Sequence, residues 1–221
     1  MADNKTVAVG YTAREEYLAE DVASNYVANR FSGRLGRYRH VREQSSVDHL
    51  IAKLPAGEIN AILDCPVGIG RWMPNLSVLK PKRVVGMDVS PTMIKHAQTV
   101  KLSPDIKVEF REGVAENMPF ADGEFDLVFC HALLKHLPLD AQRAVIIEIA
   151  RVTSKYAIIT SSVNRGAAGF IRRFRHAKGA VASSPAWFDE VVRAAGFEMI
   201  DLAKTATPIG VEYGHLLRKV R

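Results

Sequence analysis

Two carboxylates and a pair of glycines dominate the chemistry this chain can offer. In Ile62-Leu63-Asp64-Cys65-Pro66-Val67-Gly68-Ile69-Gly70-Arg71 an apolar run ends in an acid, and a loop with two glycines follows. Glycine at such a turn lets a ligand approach the backbone and leaves amide N–H groups exposed where a helix begins. Asp88 lies 20 residues beyond Gly68 and closes a second apolar run, Val84-Val85-Gly86-Met87-Asp88. A carboxylate there can accept both hydroxyls of a ribose. Glycines chosen for packing alone would explain the loop, but not the acid at this distance.

The missing features narrow the ligand. A dinucleotide loop needs a third glycine three residues after Gly70, where Met73 stands behind bulky Trp72. Asp64 is a poor neighbour for a pyrophosphate. It suits a cation, such as the ammonium and sulfonium groups of S-adenosylmethionine.

His131 follows the run Phe125–Cys130 and is the candidate general base for a hydroxyl or ammonium acceptor. A histidine that packs and bonds to backbone is the alternative. His136 reads as a capping residue, and Lys135 as either an anion contact or part of a solvated helix face. The seven histidines lack metal-ligand spacing, and two cysteines make neither a disulfide framework nor a four-thiolate site. No metal is expected.

These groups need elements to hold them. Asn60–Cys65, Arg83–Asp88, Ile106–Phe110, Phe125–Cys130 and Tyr156–Ser161 are short apolar runs bounded by Gly, Pro, Asp or Ser, as in strands covered on both faces. Helical stretches alternate with them. Ser90-Pro91 opens one, Pro138–Val152 is another, and Ser184-Pro185 opens a third that ends at Gly196. This alternation predicts an α/β fold, a doubly wound, mostly parallel seven-stranded sheet with helices on both faces. Phe197–Ala203 and Val211–Val220, separated by a Thr-Pro-Gly break, predict an antiparallel C-terminal hairpin at the sheet edge. Arg14–Arg30 and Leu35–Leu54 predict a helical N-terminal cap over residues 1–55, within the same domain as a core of residues 56–221.

Three segments in order resemble the motifs of class I S-adenosylmethionine-dependent methyltransferases, especially the small-molecule, type 11-like group: Ile62–Arg71, Val84–Ala97 and Gly113–Leu137. Met118-Pro119-Phe120-Ala121-Asp122-Gly123-Glu124-Phe125-Asp126 is similar to that group's turn before the fourth strand. The resemblance is strong from about Asn60 to Leu137. It implies S-adenosylmethionine as cofactor, with S-adenosylhomocysteine as product. It also implies that Asp64 and Gly68 contact the methionine end, Asp88 the ribose, and Val89 and Met93 the adenine. Pro66, Gly70 and Cys130 belong to the same expected cofactor set. Three positions depart from the pattern. Pro66 stands where a glycine is usual, and Val114 replaces an acid, leaving Val114 and Ala115 to offer backbone and apolar contact. Lys135 replaces a frequent Glu.

Charge points to the acceptor. Lys and Arg number 30 against 24 Asp and Glu, a net of +6. Residues 149–188 hold no acid and seven bases, so the remainder carries 23 bases against 24 acids. A local excess suggests an anion site more than a nucleic-acid coat. The basic insert at residues 163–183, with Arg172 and Arg173, is expected to border the mouth of the cleft. Tyr26 and Arg30 of the cap are expected on the opposite border, near the run Arg34, Arg37, Arg39, His40 and Arg42. The expected partner is therefore a small or medium-sized anionic acceptor: a phosphorylated sugar, a glycolipid head group or a carboxylated metabolite. RNA methylation and non-catalytic binding of S-adenosylmethionine remain the alternatives. Apolar runs too short to span a membrane, and a start without an export signal, lead to a cytoplasmic expectation. The sequence carries no signal of oligomeric state.

Overall fold

The computed structural model describes residues 33–55, 57–162, 182–207 and 210–220. The expected helix Arg14–Arg30, with Tyr26 and Arg30, lies outside them, as do Arg172 and Arg173 and nearly all of the basic insert. The described elements are α1 (Gly33–Ile51), β1 (Ala61–Asp64), α2 (Met73–Ser77), β2 (Arg83–Asp88), α3 (Pro91–Ala97), β3 (Lys107–Glu112) and β4 (Phe125–Cys130). A 3-10 turn (Leu134–His136), α4 (Leu139–Val152), β5 (Thr153–Ser161), α5 (Pro185–Ala194), β6 (Phe197–Thr207) and β7 (Gly210–Lys219) follow.

The strands form one seven-stranded sheet in the order β3-β2-β1-β4-β5-β7-β6. β1 to β5 pair in parallel, and β7 runs antiparallel to both β5 and β6. The order reverses at β1, between β2 and β4. At such a switch point the loops leaving the strand C-termini diverge and open a crevice.

Alternation along each strand supplies two cores, one per face. Leu63, Val85, Met87, Val128 and Cys130 pack with Val145, Ile146 and Ile149 of α4 and Phe188, Val191 and Val192 of α5. Ile62, Val84, Leu127, Phe129 and Ile158 turn the other way, onto Leu50 and Ile51 of α1, Met73 and Leu76 of α2, and Ala97 of α3. The runs Ala61–Leu63, Val84–Met87 and Leu127–Cys130 are therefore apolar on successive residues, because both faces are covered.

The helix starts follow from single residues. Ser90 Oγ accepts from the Met93 N–H with Pro91 at the first turn, and Ser184 Oγ accepts from the Trp187 N–H with Pro185 in the same place. Gly196 ends the last helical segment with a left-handed φ of 85°.

The described part of the expected cap is a layer of the sandwich. Val47, Leu50 and Ile51 are buried against the sheet, and α1 packs on β6 and β7. Gly214 of β7 makes this approach feasible: a Cβ there would lie 2.7 Å from Leu50 Cδ1. Several ends differ from expectation, and β5 begins three residues early, at Thr153. β3 runs to Glu112 and β6 to Thr207, because ladder pairing with β2 and β7 continues past the apolar residues that mark them in sequence.

Candidate functional site

The crevice at the switch point is a cavity enclosing about 1080 Å³ of space, part of it open to solvent. The loop after β1 supplies Cys65, Pro66, Val67, Gly68, Ile69, Arg71 and Trp72. The end of β2 and α3 supply Asp88, Val89 and Met93, and the loop after β3 supplies Gly113, Val114, Ala115 and Glu116. The loop after β4 completes it with His131, Ala132, Leu133, His136 and Leu137.

Asp88 organises the loop. Its Oδ2 accepts from the Gly68 N–H at 2.8 Å and its Oδ1 from the Ser90 N–H at 2.9 Å. Burial raises its pKa above the ordinary value, while the backbone N–H donors of Ser90, Gly68 and Val89 pull the other way. Each carboxylate oxygen has more than one acceptor site, so these bonds leave capacity for a diol in the cavity. Gly68 takes a φ of 52°, which turns its N–H toward Asp88.

Gly70 serves packing. A Cβ at Gly70 would meet Val100 Cγ2 at 2.9 Å and the Ala97 Cα at 3.1 Å, and its φ is 76°. It seats the loop against the end of α3 and does not line the cavity. Cys130 is likewise enclosed in the core, while Cys65 reaches the cavity wall. Burial pushes both thiols up, so they stay protonated.

Asp64 is the most unusual group. It is fully buried, and neither side-chain oxygen has a hydrogen-bond partner. Burial, and then the charge of Asp88, push its pKa well up, with Arg71 opposing. An unpartnered carboxylate at the end of a central strand is costly. Asp64 ends β1 directly before Cys65, the first residue of the loop that lines the cavity.

Rings gather where the glycine loop meets the end of β4. Trp72 lies with its ring 4.7 Å from that of His131 and 6.0 Å from that of Phe129. His131 stacks over Phe129 at 6.0 Å with 13° between planes, and is 7% exposed. The next residue, Ala132, has a φ of 62°, a strained value for a residue with a side chain. Its N–H donates to Thr160 Oγ1 at 2.7 Å, which holds the kink that presents His131 at the cleft.

A buried acid of α1 holds a cavity residue, Arg71. Glu43, 2% exposed, accepts from Arg39 Nε at 2.8 Å through Oε1 and from Arg71 Nη1 at 2.7 Å through Oε2. The Arg71 guanidinium also sits 4.1 Å over the Trp72 ring. Lys135 bonds to Glu212 at 2.6 Å, which sets its reading as an anion contact or a solvated face aside in favour of a tie to β7. Of the basic run on α1, Arg39 is bound to carboxylates, while Arg34, Arg37 and Arg42 are exposed.

Pro66, Gly68, Asp88, Val89, Met93, Val114, Ala115 and His131 are thus brought to one cavity, whereas the buried Asp64 does not line it. Arg71, Trp72 and Glu116 were not among the expected site residues. Trp72 had a visible signal, a large ring directly after a glycine loop. Glu43 had a weaker one, the first acid after an otherwise basic stretch of α1. Among the described residues no cluster of His, Cys, Asp or Glu could hold a metal, and no helix is long and apolar enough to cross a membrane.

The family model described as a methyltransferase domain matches residues 62–155. The demethylmenaquinone methyltransferase of Lactiplantibacillus plantarum is 32% identical over 146 residues, 64% of this chain and 59% of that protein. The ajmaline N-methyltransferase of Rauvolfia serpentina is 33% identical over 108 residues, 47% and 36% of the two chains. The chain thus spans less than two thirds of the length of these curated relatives. The magnesium protoporphyrin IX methyltransferase from Synechocystis PCC 6803, solved with bound S-adenosylhomocysteine, superposes with a TM-score of 0.76 at 17% identity, covering 93% of this chain and 97% of that one. Residues 62–155 thus match a methyltransferase domain, and the sheet that carries them has the fold of solved S-adenosylmethionine-dependent methyltransferases.

Proposed function

We propose that the chain transfers the methyl group of S-adenosylmethionine to a small-molecule acceptor. The observation that carries this reading is the buried Asp64 carboxylate without a hydrogen-bond partner, directly before the loop that lines a cavity in which Asp88 is held by the Gly68 and Ser90 amides. A nucleoside that carries an amino acid needs an acceptor for its ribose hydroxyls and an anion for its ammonium group. Asp88 and Asp64 are suited to these two tasks. Met93, Val89, Val114 and Ala115 offer an apolar slot beside Asp88 for a purine.

The bound cofactor supplies an electrophilic methyl group on a positively charged sulfur. The protein's part is to hold an acceptor lone pair in line and keep water out. Trp72, Leu133 and Leu137 supply the apolar enclosure, and His131 a base on the cavity wall. This wall suits a flat ring bearing a hydroxyl or amine. The acid-free segment at residues 149–188 supports an anionic substituent on the same acceptor.

Titration calorimetry with S-adenosylhomocysteine and with NADH tests the cofactor reading. Nanomolar to micromolar affinity for the first and none for the second is expected, and the reverse would end the proposal. Turnover is followed as S-adenosylhomocysteine release from phenolic, carboxylated and phosphorylated acceptors. With an acceptor that must lose a proton, His131→Ala is expected to lower kcat by about 100-fold or more, with cofactor affinity little changed. An unaltered kcat would return His131 to a packing role. Reversing charge with Arg172→Glu and Arg173→Glu is expected to raise the KM of anionic acceptors and spare that of neutral ones. An unchanged KM would remove the anionic-acceptor reading.

A further inference from the structure

α1 has two faces of different chemistry. Val47, Leu50 and Ile51 are buried against the sheet, and Glu43, on the same side of the helix, is buried with them. Arg34, Arg37, Tyr38, Val41 and Arg42 recur at steps of three and four residues on the opposite side, and all five are exposed. Tyr38 is 51% exposed and Val41 61%, so the stripe sets two apolar side chains among three guanidinium groups.

The three arginines do not serve the fold. Among the described residues none of them takes part in an ion pair or a hydrogen bond, whereas Arg39 and Arg71 share the buried Glu43. They also stand in the N-terminal half of the helix, whose first turn holds no acid. Cations there oppose the helix dipole. No acid occurs from Gly33 to Arg42, so nothing on this segment balances them.

An unpaired basic stripe with exposed apolar residues in it fits a surface that is negative outside and apolar just beneath, an anionic lipid leaflet. Arginine meets phosphate through paired N–H donors, and tyrosine suits the boundary between water and acyl chains. A nucleic-acid backbone would match the arginines and leave Val41 without an apolar neighbour. We propose that the outer face of α1 docks the protein on an anionic lipid surface. The inference goes beyond the proposed reaction and does not depend on it. Glu43 on the inner face holds Arg71 of the cavity wall, so the docked helix is tied directly to the proposed reaction site. A solvated face that touches nothing is the competing account.

Co-sedimentation of the full chain with vesicles reads the proposal without cofactor or acceptor. Binding is expected to vesicles with about one-third phosphatidylglycerol, not to phosphatidylcholine alone, and it should weaken as salt screens the charges. Arg34→Gln, Arg37→Gln and Arg42→Gln together should lower the partition by about 100-fold, the attraction of a charged leaflet for three basic residues. Tyr38→Ser with Val41→Ser should lower it by about 10-fold, for the apolar area no longer taken from water. Lys82→Gln, Lys101→Gln and Lys204→Gln remove the same charge from other exposed positions and should change it by less than about 3-fold. The melting temperature of the triple arginine variant should not fall, since it loses only exposed charge at the wrong end of a helix. No binding to anionic vesicles, or equal losses from the arginine and lysine variants, would overturn the proposal. Binding to RNA but not to vesicles, lost with the arginines and indifferent to Tyr38 and Val41, would overturn it in favour of a nucleic-acid surface.

Discussion

Asp64→Asn is expected to make the empty protein more stable and to weaken its binding of ligand. The carboxylate is fully buried with no hydrogen-bond partner, and burial raises its pKa well above that of an exposed Asp. The folded state therefore binds a proton more tightly than the unfolded chain does. Stability of the empty protein falls as pH rises from the unfolded value through the raised folded one, and above that the full cost is present. The amide cannot ionise, so the variant escapes this cost. Its melting temperature should exceed that of the wild type at neutral pH, by about 2–4 °C for each kcal/mol recovered. The gap should close as pH is lowered toward 4.

With ligand the order reverses. An ammonium group gives the Asp64 carboxylate the partner it lacks, and about 2.7 kcal/mol of added stability is expected when ligand is present at 100 times its Kd. The variant should lose about 10–100-fold in affinity for S-adenosylhomocysteine and show little such gain. Thermal melts across pH, with and without ligand, read both effects. A variant that melts below the wild type at neutral pH and binds ligand normally would assign Asp64 a structural role.

Asp88→Ala should have the larger and less selective effect on binding. The residue holds the loop through Gly68 and starts α3 through Ser90. The same oxygens are the proposed acceptors for the ribose. Loss of two bonds to a charged group corresponds to about 100–1000-fold or more in affinity. Unlike the Asp64 variant, this one should lose S-adenosylhomocysteine and 5′-methylthioadenosine alike, because both carry the ribose. Calorimetry with the two ligands checks it, and normal binding of 5′-methylthioadenosine would remove Asp88 from the site. Backbone bonds to Asp88 are lost too, so circular dichroism of the variant should confirm that the sheet is intact.

The two acids were visible in the sequence for different reasons. Asp88 is marked by its distance from the glycine loop, a spacing set by one helix and one strand. Asp64 is marked by chemistry, as an acid where a phosphate-binding loop would exclude one. The glycines were harder to tell apart. Gly68 turns an amide toward Asp88, whereas Gly70 exists because Ala97 and Val100 leave no room for a Cβ. Spacing alone puts both in one motif. Cys130 was expected at the cofactor because it ends a strand, but alternation turns it into the core. The histidine next to it reaches the cavity because Ala132 adopts a left-handed turn held by Thr160, a bond between residues 28 apart.

By itself the sequence determined the strand and helix order, the doubly wound sheet, the C-terminal hairpin and the two carboxylates with their loop. All of these depend on local patterns: apolar runs, caps, and an acid one helix and one strand away from a glycine turn. The tertiary structure alone decided that α1 lies against β6 and β7, that Lys135 is tied to Glu212, and that Arg71 and Glu43 meet at the cavity. Residues 43 and 71 come from segments separated by a whole strand, and their ion pair is buried. Neither the contact nor the burial is written in the spacing of either segment, because each exists only once the sheet has brought α1 and the glycine loop together.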